Sequence, residues 1–235
     1  MYIICMSNPP FRIFAHRGAS GYEPENTLRA IQKALDLGAE WIEVDVQKVE
    51  NELIVFHDLR LERTTNGQGF IWEHSFEKLR TLDAGKGERI PLLSEVMELV
   101  QGRAKINIEL KGQNTALPVV QCLDAFVKQG QWKWEDILIS SFYHMELQKI
   151  KTLQPLIPTG ALCVGVPLHY ARFAKELQCT SLHLALDFVT PEIVEDAHAR
   201  GLSVYVFTVN DLKTLHFVKS LKVDGVFTDY PDRIC

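Results

Sequence analysis

Short apolar segments rich in β-branched residues recur along the chain, and each is followed by the apolar spacing of an amphipathic helix. Thr27–Leu37 is a representative helix, with Asn26 as its predicted N-cap and Gly38 after its last turn. The pattern predicts eight strands, at Arg12–Ala15, Trp41–Val46, Lys105–Leu110, Ile137–Ser140, Thr159–Leu162, Ser181–Leu184, Ser203–Thr208 and Gly225–Thr228.

Strands that alternate with helices indicate a parallel α/β sheet, and eight of them favour closure into a barrel. The later helices are predicted at Ala116–Lys128, Met145–Thr152, Tyr170–Leu177, Glu192–Arg200 and Leu212–Lys219. An open doubly wound sheet is the alternative, but no Gly-x-Gly-x-x-Gly follows a strand, so a dinucleotide site has little support. We therefore expect a (β/α)8 TIM barrel with an insertion after strand two.

The connection after the second strand is much longer than the others. It contains a short strand at Leu53–Phe56, a polar segment broken by glycine and asparagine, and a helix near Ser94–Val100. Long loops in compact domains are usually functional, so we predict an insertion of about residues 51–92 beside the site, either a lid or a specificity element. A surface excursion is the alternative. The expected domains are an N-terminal extension, residues 1–11, and a single barrel, residues 12–235.

Composition argues against several classes of function. The net charge of −5 with mixed signs predicts no nucleic-acid partner. Five scattered cysteines without a Cys-x-x-Cys pair predict reduced thiols and a cytoplasmic protein. The apolar residues 1–6 are too short for a signal peptide or a bilayer span, so no stable membrane insertion is expected. The sequence leaves the oligomeric state open.

Polar residues gather at the ends of the first three predicted strands of the barrel. Because residues i and i+2 of a strand share a face, Glu43 and Asp45 project together, and so do Glu109 and Lys111. The C-terminal strand ends of a barrel carry the active site, so these side chains should converge there. Three carboxylates in one place would repel one another, and a divalent cation would relieve this. All-oxygen ligands favour Mg²⁺ or Ca²⁺; a buried ion network with Arg17 and Lys111 is the alternative.

His16 and His57 are the candidates for proton transfer, since imidazole titrates near neutral pH. Asp58 either orients His57 or caps a turn. Arg17 and Lys111 suit the non-bridging oxygens of a phosphate.

Four residues are secondary candidates. Gly18 and Gly21 would let the backbone approach a ligand, or would only form a tight turn. Phe142 and Asn210 follow strands and could line the pocket, although a core position is favoured for Phe142.

Several short motifs occur in order along the chain: His16-Arg17-Gly18, Pro24-Glu25-Asn26-Thr27, Glu43-Val44-Asp45, His57-Asp58, Ile90-Pro91-Leu92, Asn107-Ile108-Glu109-Leu110-Lys111, Thr208-Val209-Asn210 and Thr228-Asp229-Tyr230-Pro231. From about Arg12 to the C-terminus, their order and spacing resemble the glycerophosphodiester phosphodiesterase family. The resemblance implies a (β/α)8 barrel with its insertion after strand two. It also implies roles for seven side chains: Glu43, Asp45 and Glu109 as ligands of one divalent cation (Mg²⁺ or Ca²⁺, with Mn²⁺ possible), His16 and His57 as the acid–base pair, and Arg17 and Lys111 as phosphate contacts.

The implied reaction is hydrolysis of a small glycerophosphodiester, such as glycerophosphocholine or glycerophosphoethanolamine, to glycerol 3-phosphate and an alcohol. We hypothesise that His16 is the base and His57 the acid, with either water or a glycerol hydroxyl as the nucleophile. Two alternatives stay open. One is a lysophospholipase D-like lipid phosphodiesterase, in which Phe70, Ile71, Trp72 and Phe76 of the insertion would form an apolar groove. The other is a non-catalytic phosphate-binding barrel.

Overall fold

The computed structural model describes residues 11–234, so the expected N-terminal extension lies, apart from Phe11, outside the described residues. Within 11–234 the backbone forms nine β-strands and eight α-helices. The strands are β1 (Arg12–Ala15), β2 (Trp41–Val49), β3 (Glu52–Val55), β4 (Lys105–Leu110), β5 (Ile137–Ser141), β6 (Thr159–Cys163), β7 (Ser181–Ala185), β8 (Ser203–Phe207) and β9 (Gly225–Thr228). The helices are α1 (Leu28–Asp36), α2 (Phe76–Leu79), α3 (Leu93–Val100), α4 (Ala116–Lys128), α5 (His144–Leu153), α6 (Arg172–Glu176), α7 (Pro191–Ala199) and α8 (Leu212–Ser220).

Eight of the described strands close into a parallel barrel. β1 pairs with β2 on one side and with β9 on the other, and the ring continues through β8, β7, β6, β5 and β4 back to β2. Parallel neighbours need long crossovers, which the helices supply on the outside. The predicted (β/α)8 TIM barrel is therefore confirmed. β3 is antiparallel to β2 and belongs to the insertion. None of the helices within 11–234 is long and apolar enough to cross a membrane.

The strands next to the site place apolar and polar side chains on opposite faces. In β2, Ile42 and Val44 belong to the main core outside the barrel, where helices α1 and α3 pack. Glu43 and Asp45 alternate with them and therefore point into the barrel. β4 pairs with β2 in the register that sets Asp45 opposite Glu109. This register brings acidic side chains of two strands together.

Aromatic side chains fill the barrel interior one layer below the site. Phe14 is fully buried and stacks on Phe227, with ring centroids 4.5 Å apart. Its ring also lies 4.9 Å from that of Tyr205 and 5.2 Å from that of Trp41. Such clusters bury large apolar areas and hold their rings in fixed geometries. We call these rings the aromatic layer, and it supports the polar residues above it rigidly.

The insertion has a small apolar core of its own. Ile54, Leu61 and Leu79 are buried in it. Of the aromatic and aliphatic residues considered for a lipid groove, Ile71 is buried in this core and Phe76 packs against it. These two side chains therefore anchor the insertion instead of forming a groove.

Helix α1 begins one residue later than the sequence predicted. Its N-cap is Thr27, whose hydroxyl accepts a hydrogen bond from the backbone N–H of Ala30 at 3.2 Å. Asn26, the predicted N-cap, instead donates through its side chain to Asp45 at 2.9 Å and accepts from the backbone N–H of Asp45 at 3.2 Å. The prediction of Asn26 as the cap was wrong because this long-range contact occupies its side chain.

We expect Phe14→Ala to lower the free energy of unfolding by about 3–5 kcal/mol, because the cavity it leaves is enclosed by aromatic rings that cannot collapse into it. Phe217→Ala is the matched control, since Phe217 lies half exposed on α8, with 51% of its surface accessible. Its effect should stay within about 0.5 kcal/mol. Urea unfolding of both variants measures the difference. Equal losses in the free energy of unfolding would contradict the packing role of the aromatic layer.

Candidate active site

Three carboxylates meet where β2 and β4 approach their C-terminal ends. Glu43, Asp45 and Glu109 each offer an oxygen, and these oxygens lie within 4.8 Å of one another. Glu43 and Asp45 are almost fully buried. The structure thus brings together the three acidic residues that the sequence singled out.

Two cationic side chains face this cluster. The Lys111 ammonium lies 2.8 Å from Glu109 Oε1 and 3.7 Å from Asp45 Oδ1. The Arg17 Nε lies 3.3 Å from Asp45 Oδ2, and the Arg17 backbone N–H donates to Glu43 Oε2 at 2.8 Å. The ion network anticipated as an alternative is therefore present, but two cations do not balance three carboxylates.

The imbalance shows in the proton affinities of the acids. Burial raises the pKa of Glu43 well above its ordinary value, and the charges of Asp45 and Glu109 add to the effect. Burial and the charge of Asp45 likewise raise the pKa of Glu109 to about 7. Burial opposes ionisation of Asp45 too, but Arg17 and Lys111 outweigh it and lower its pKa. Without a further positive charge, Glu43 and Glu109 therefore hold their protons more tightly than free carboxyl groups do.

A strained turn after β1 aims Arg17 at the cluster. Arg17 has a left-handed backbone with φ of 57°, which costs a non-glycine residue about 1–2 kcal/mol. Gly18 follows at φ 81°, and a Cβ there would fall 2.6 Å from the carbonyl carbon of Ala30. A Cβ on Gly21 would fall 2.2 Å from the ring of Tyr230. The absence of a side chain at both glycines therefore makes room for protein atoms, as the tight turn requires.

Each candidate histidine has an aspartate at its Nδ1. His16 Nδ1 lies 2.7 Å from Asp229 Oδ1, and His57 Nδ1 lies 2.5 Å from Asp58 Oδ1. Hydrogen bonds from Arg63 lower the pKa of Asp58 to about 2. Burial opposes ionisation of Asp229, but the hydrogen bonds it accepts, first that from His16, lower its pKa to about 2. Ionised carboxylates only accept, so each Nδ1 carries a hydrogen and each neutral ring keeps Nε2 as its basic atom.

The two histidine–aspartate pairs are themselves held in place. Asp229 accepts from Ser20 Oγ at 2.9 Å and from Asn210 Nδ2 at 2.6 Å. Asn210, expected at the pocket wall, thus holds Asp229. Beside His57, the Nε2 amide of buried Gln47 lies within hydrogen-bond distance of the carbonyl oxygens of residues 56, 57 and 58, at 3.0, 3.2 and 2.7 Å. Asp229 and Gln47 received no role from sequence reasoning, although Asp229 lies in one of the short motifs.

Burial lowers the pKa of His57 below its ordinary value, and the attraction of Asp45 offsets this only in part. Lys111 and Arg17 also disfavour the protonated ring, whereas the hydrogen bond to Asp58 favours it.

All of the site residues that the sequence predicted, except Asp45, line one small cavity of about 100 Å³ in the barrel mouth. Its polar wall is formed by His16, Arg17, Glu43, His57, Asn107, Glu109, Lys111 and Ser140, and its apolar wall includes Phe142, Leu162, Phe207 and Phe227. Phe142 is 39% exposed, and its ring centre lies 5.8 Å from the Lys111 ammonium. The core position favoured for Phe142 was wrong, because the residue follows the last residue of β5 and stands above the packed layers.

Comparisons with known proteins identify the family of the chain. The model of the glycerophosphoryl diester phosphodiesterase family matches residues 16–233. The glycerophosphodiester phosphodiesterase of Bacillus altitudinis is 38% identical over 237 residues, covering 94% of this chain and 96% of that protein. The protein of the same name from Caldanaerobacter subterraneus subsp. tengcongensis is 34% identical over 232 residues, covering 94% and 95%.

A solved structure is equally similar. The phosphodiesterase of Oleispira antarctica, in complex with the product sn-glycerol-3-phosphate, gives a TM-score of 0.86 at 33% identity and covers 95% of this chain and 94% of that one. The chain belongs to the glycerophosphoryl diester phosphodiesterase family.

Proposed function

We propose that this protein hydrolyses glycerophosphodiesters to glycerol 3-phosphate and an alcohol, with a divalent cation and the pair His16 and His57. The observation that carries the proposal is the convergence of two cations, two aspartate-paired histidines and the carboxylates of Glu43 and Glu109 on one cavity, with Asp45 clustered against these carboxylates. The names of the related proteins and the sn-glycerol-3-phosphate bound to the Oleispira antarctica enzyme support the choice of substrate. Glycerophosphocholine and glycerophosphoethanolamine are the substrates to test.

Glu43, Asp45 and Glu109 would hold the cation. Their donor set fits a hard ion, since it consists of carboxylate oxygens alone, and their surplus negative charge is what such an ion offsets. We propose one Mg²⁺ or Ca²⁺, with Mn²⁺ as a substitute. When bound, the ion supplies Lewis-acid polarisation of the phosphoryl oxygens.

Arg17 and Lys111 would bind the phosphate. Both line the cavity, and their side chains are only 15% exposed, so their charges are poorly screened by water. They would offset the negative charge that develops on the equatorial oxygens, an effect that often dominates such reactions. The αL turn at Arg17 positions its guanidinium before substrate arrives.

His16 and His57 would move the protons. Asp229 and Asp58 fix the hydrogen on each Nδ1, which leaves each Nε2 to exchange a proton with the reacting oxygens. We assign neutral His16 to the attacking hydroxyl, whether of water or of glycerol, whose proton its Nε2 takes. We assign His57 in its protonated form to the leaving alkoxide, to which it gives its Nε2 proton. A cytoplasmic location and the absence of nucleic-acid partners belong to the same proposal and rest on the cysteine and charge patterns of the sequence.

Metal-stripped protein should release glycerol 3-phosphate from glycerophosphocholine once Mg²⁺, Mn²⁺ or Ca²⁺ is restored. His16→Ala and His57→Ala should each lose about 10²–10⁴-fold in rate, the usual contribution of one acid–base group. His198→Ala is the matched control, because His198 also pairs with an aspartate, Asp224 at 2.8 Å, but outside the cavity. Its rate should equal that of the unaltered protein.

Two results would contradict this proposal. Cleavage of lysophosphatidylcholine without cleavage of glycerophosphocholine would favour a lipid phosphodiesterase. Binding of glycerophosphocholine without turnover, whichever ion is restored, would favour a non-catalytic phosphate-binding barrel.

The assignment of acid and base can be tested with a glycerophosphodiester whose leaving group is p-nitrophenol. This anion departs without a proton, so His57→Ala should recover most of its lost rate on this substrate while His16→Ala stays slow. The ratio of the rates on p-nitrophenyl and choline esters is measured for both variants. A high ratio identifies the variant that lacks the general acid. Recovery by His16→Ala alone would reverse the assignment.

Binding of the cation should release protons, since Glu109 is partly protonated near pH 7. A raised acid pKa means that protons compete with the ion as the pH falls. We therefore expect Ca²⁺ to bind about tenfold more weakly near pH 6 than near pH 8, as measured by titration calorimetry in buffers of different ionisation enthalpy. Glu109→Gln should weaken binding, whereas Glu192→Gln, on the exposed side of α7, should leave it unchanged. A Ca²⁺ affinity independent of pH would contradict the expected release of protons on binding.

A further inference from the structure

We propose that Arg63, in the insertion, is a positioning residue that holds Arg17 and His57 in place at the same time. This inference rests on the proposed function. It assigns the insertion a role in aligning the site, in addition to the lid or specificity role expected from its length.

The Arg63 guanidinium binds two carboxylates. Its Nε and Nη2 donate to the two oxygens of Asp58 at 2.6 and 2.9 Å. Its Nη1 and Nη2 donate to the two oxygens of Glu25 at 2.7 and 2.8 Å. The planar fork of arginine permits two such bidentate contacts, whereas the single ammonium of lysine does not. We call Arg63, Asp58 and Glu25 the Arg63 clamp.

Each carboxylate of the Arg63 clamp is in direct contact with a side chain of the proposed mechanism. Asp58 Oδ1 lies 2.5 Å from His57 Nδ1. Glu25 Oε1 accepts a hydrogen bond from Arg17 Nη1 at 2.7 Å. Arg63 is thus one contact removed from a proposed acid and from a proposed phosphate ligand, which lie on two different loops.

The backbone around Arg63 is itself anchored. Leu61 is fully buried in the core of the insertion. The backbone N–H and the hydroxyl of Thr65 both donate to the carbonyl oxygen of Leu61, at 3.0 and 2.7 Å. The turn between these two residues carries Arg63, so the packing of the insertion determines where the guanidinium lies.

The contacts of Arg63 differ from those of an ordinary surface ion pair, which would not connect two loops of the site. The Arg63 side chain is 49% exposed, and exposed ion pairs add little to stability. Arg60, three residues earlier and 54% exposed, forms its ion pair with nearby Glu62 and lies over the ring of Phe70 in the same insertion. Arg63 instead connects to Glu25, which is 38 positions away in the sequence. The Arg63 clamp therefore contributes to alignment far more than to folding.

Arg63→Gln should lower kcat/KM for glycerophosphocholine by about 10–100-fold, as expected when a residue that orients active-site side chains is removed. Its melting temperature should change by no more than about 2 °C. Arg63→Lys keeps the charge but cannot bind both carboxylates, so it should stay well below the unaltered enzyme. Arg60→Gln is the matched control and should retain full activity.

Double variants separate alignment from a general structural effect. The loss of kcat caused by Arg63→Gln should shrink when Asp58→Asn is already present, because both changes release His57. The rise in KM should shrink when Glu25→Gln is already present, because both changes release Arg17. A defect of folding alone would instead add to each background unchanged.

The possible failures can be told apart. If the unaltered enzyme is active and the folded Arg63→Gln and Arg63→Lys variants match it in kcat and KM, or if the double-variant losses are additive, this inference is overturned while the proposed function stands. If Arg63→Gln does not fold, the activity of Arg63→Lys decides. An unaltered enzyme inactive with every ion would overturn the proposed function, and this inference with it.

Discussion

Surplus negative charge in the mouth of the barrel is the constraint on which the site depends. Within residues 11–234, Glu43, Asp45 and Glu109 share a buried site with two cationic side chains, Arg17 and Lys111. Charges held in a poorly hydrated place must be paired or neutralised by protons, and here both occur. Asn26 strengthens the arrangement, because its side-chain nitrogen donates to the Asp45 carboxylate and its side-chain oxygen accepts from the Asp45 backbone N–H. A divalent cation bound by the three carboxylates would offset their surplus negative charge.

Closure of the barrel joins residues from the two ends of the chain. β9 pairs with β1, and this pairing sets Asp229 beside His16, 213 positions away in the sequence. The second histidine takes its aspartate from the next residue, Asp58, and both lie in the insertion with Arg63, which binds Asp58. Each proposed proton-transfer histidine therefore has an aspartate at its Nδ1, but the two aspartates come from very different parts of the fold.

Local pattern was enough to predict the strands and the acidic cluster. The alternation of Ile42, Val44 and their polar neighbours follows from strand geometry, so the sequence alone could assign Glu43 and Asp45 to one face of β2. The register between β2 and β4 then needed only the parallel order of a barrel.

Contacts between distant segments could not be predicted in this way. Thr27 rather than Asn26 caps α1 because Asn26 is occupied by Asp45 on another element. The bonds from Arg63 to Glu25 depend on how the insertion folds over the first loop, which no periodicity encodes. The position of Phe142 likewise depends on where β5 ends relative to the barrel mouth.

The most direct test of the account is the location of the cation. Crystals grown with Mn²⁺ would show its position by anomalous diffraction. We predict one strong peak in the barrel mouth, bounded by carboxylate oxygens of Glu43, Asp45 and Glu109. A protein that is active with Mn²⁺ but shows no peak among these three residues, or a peak held by other side chains, would contradict the account.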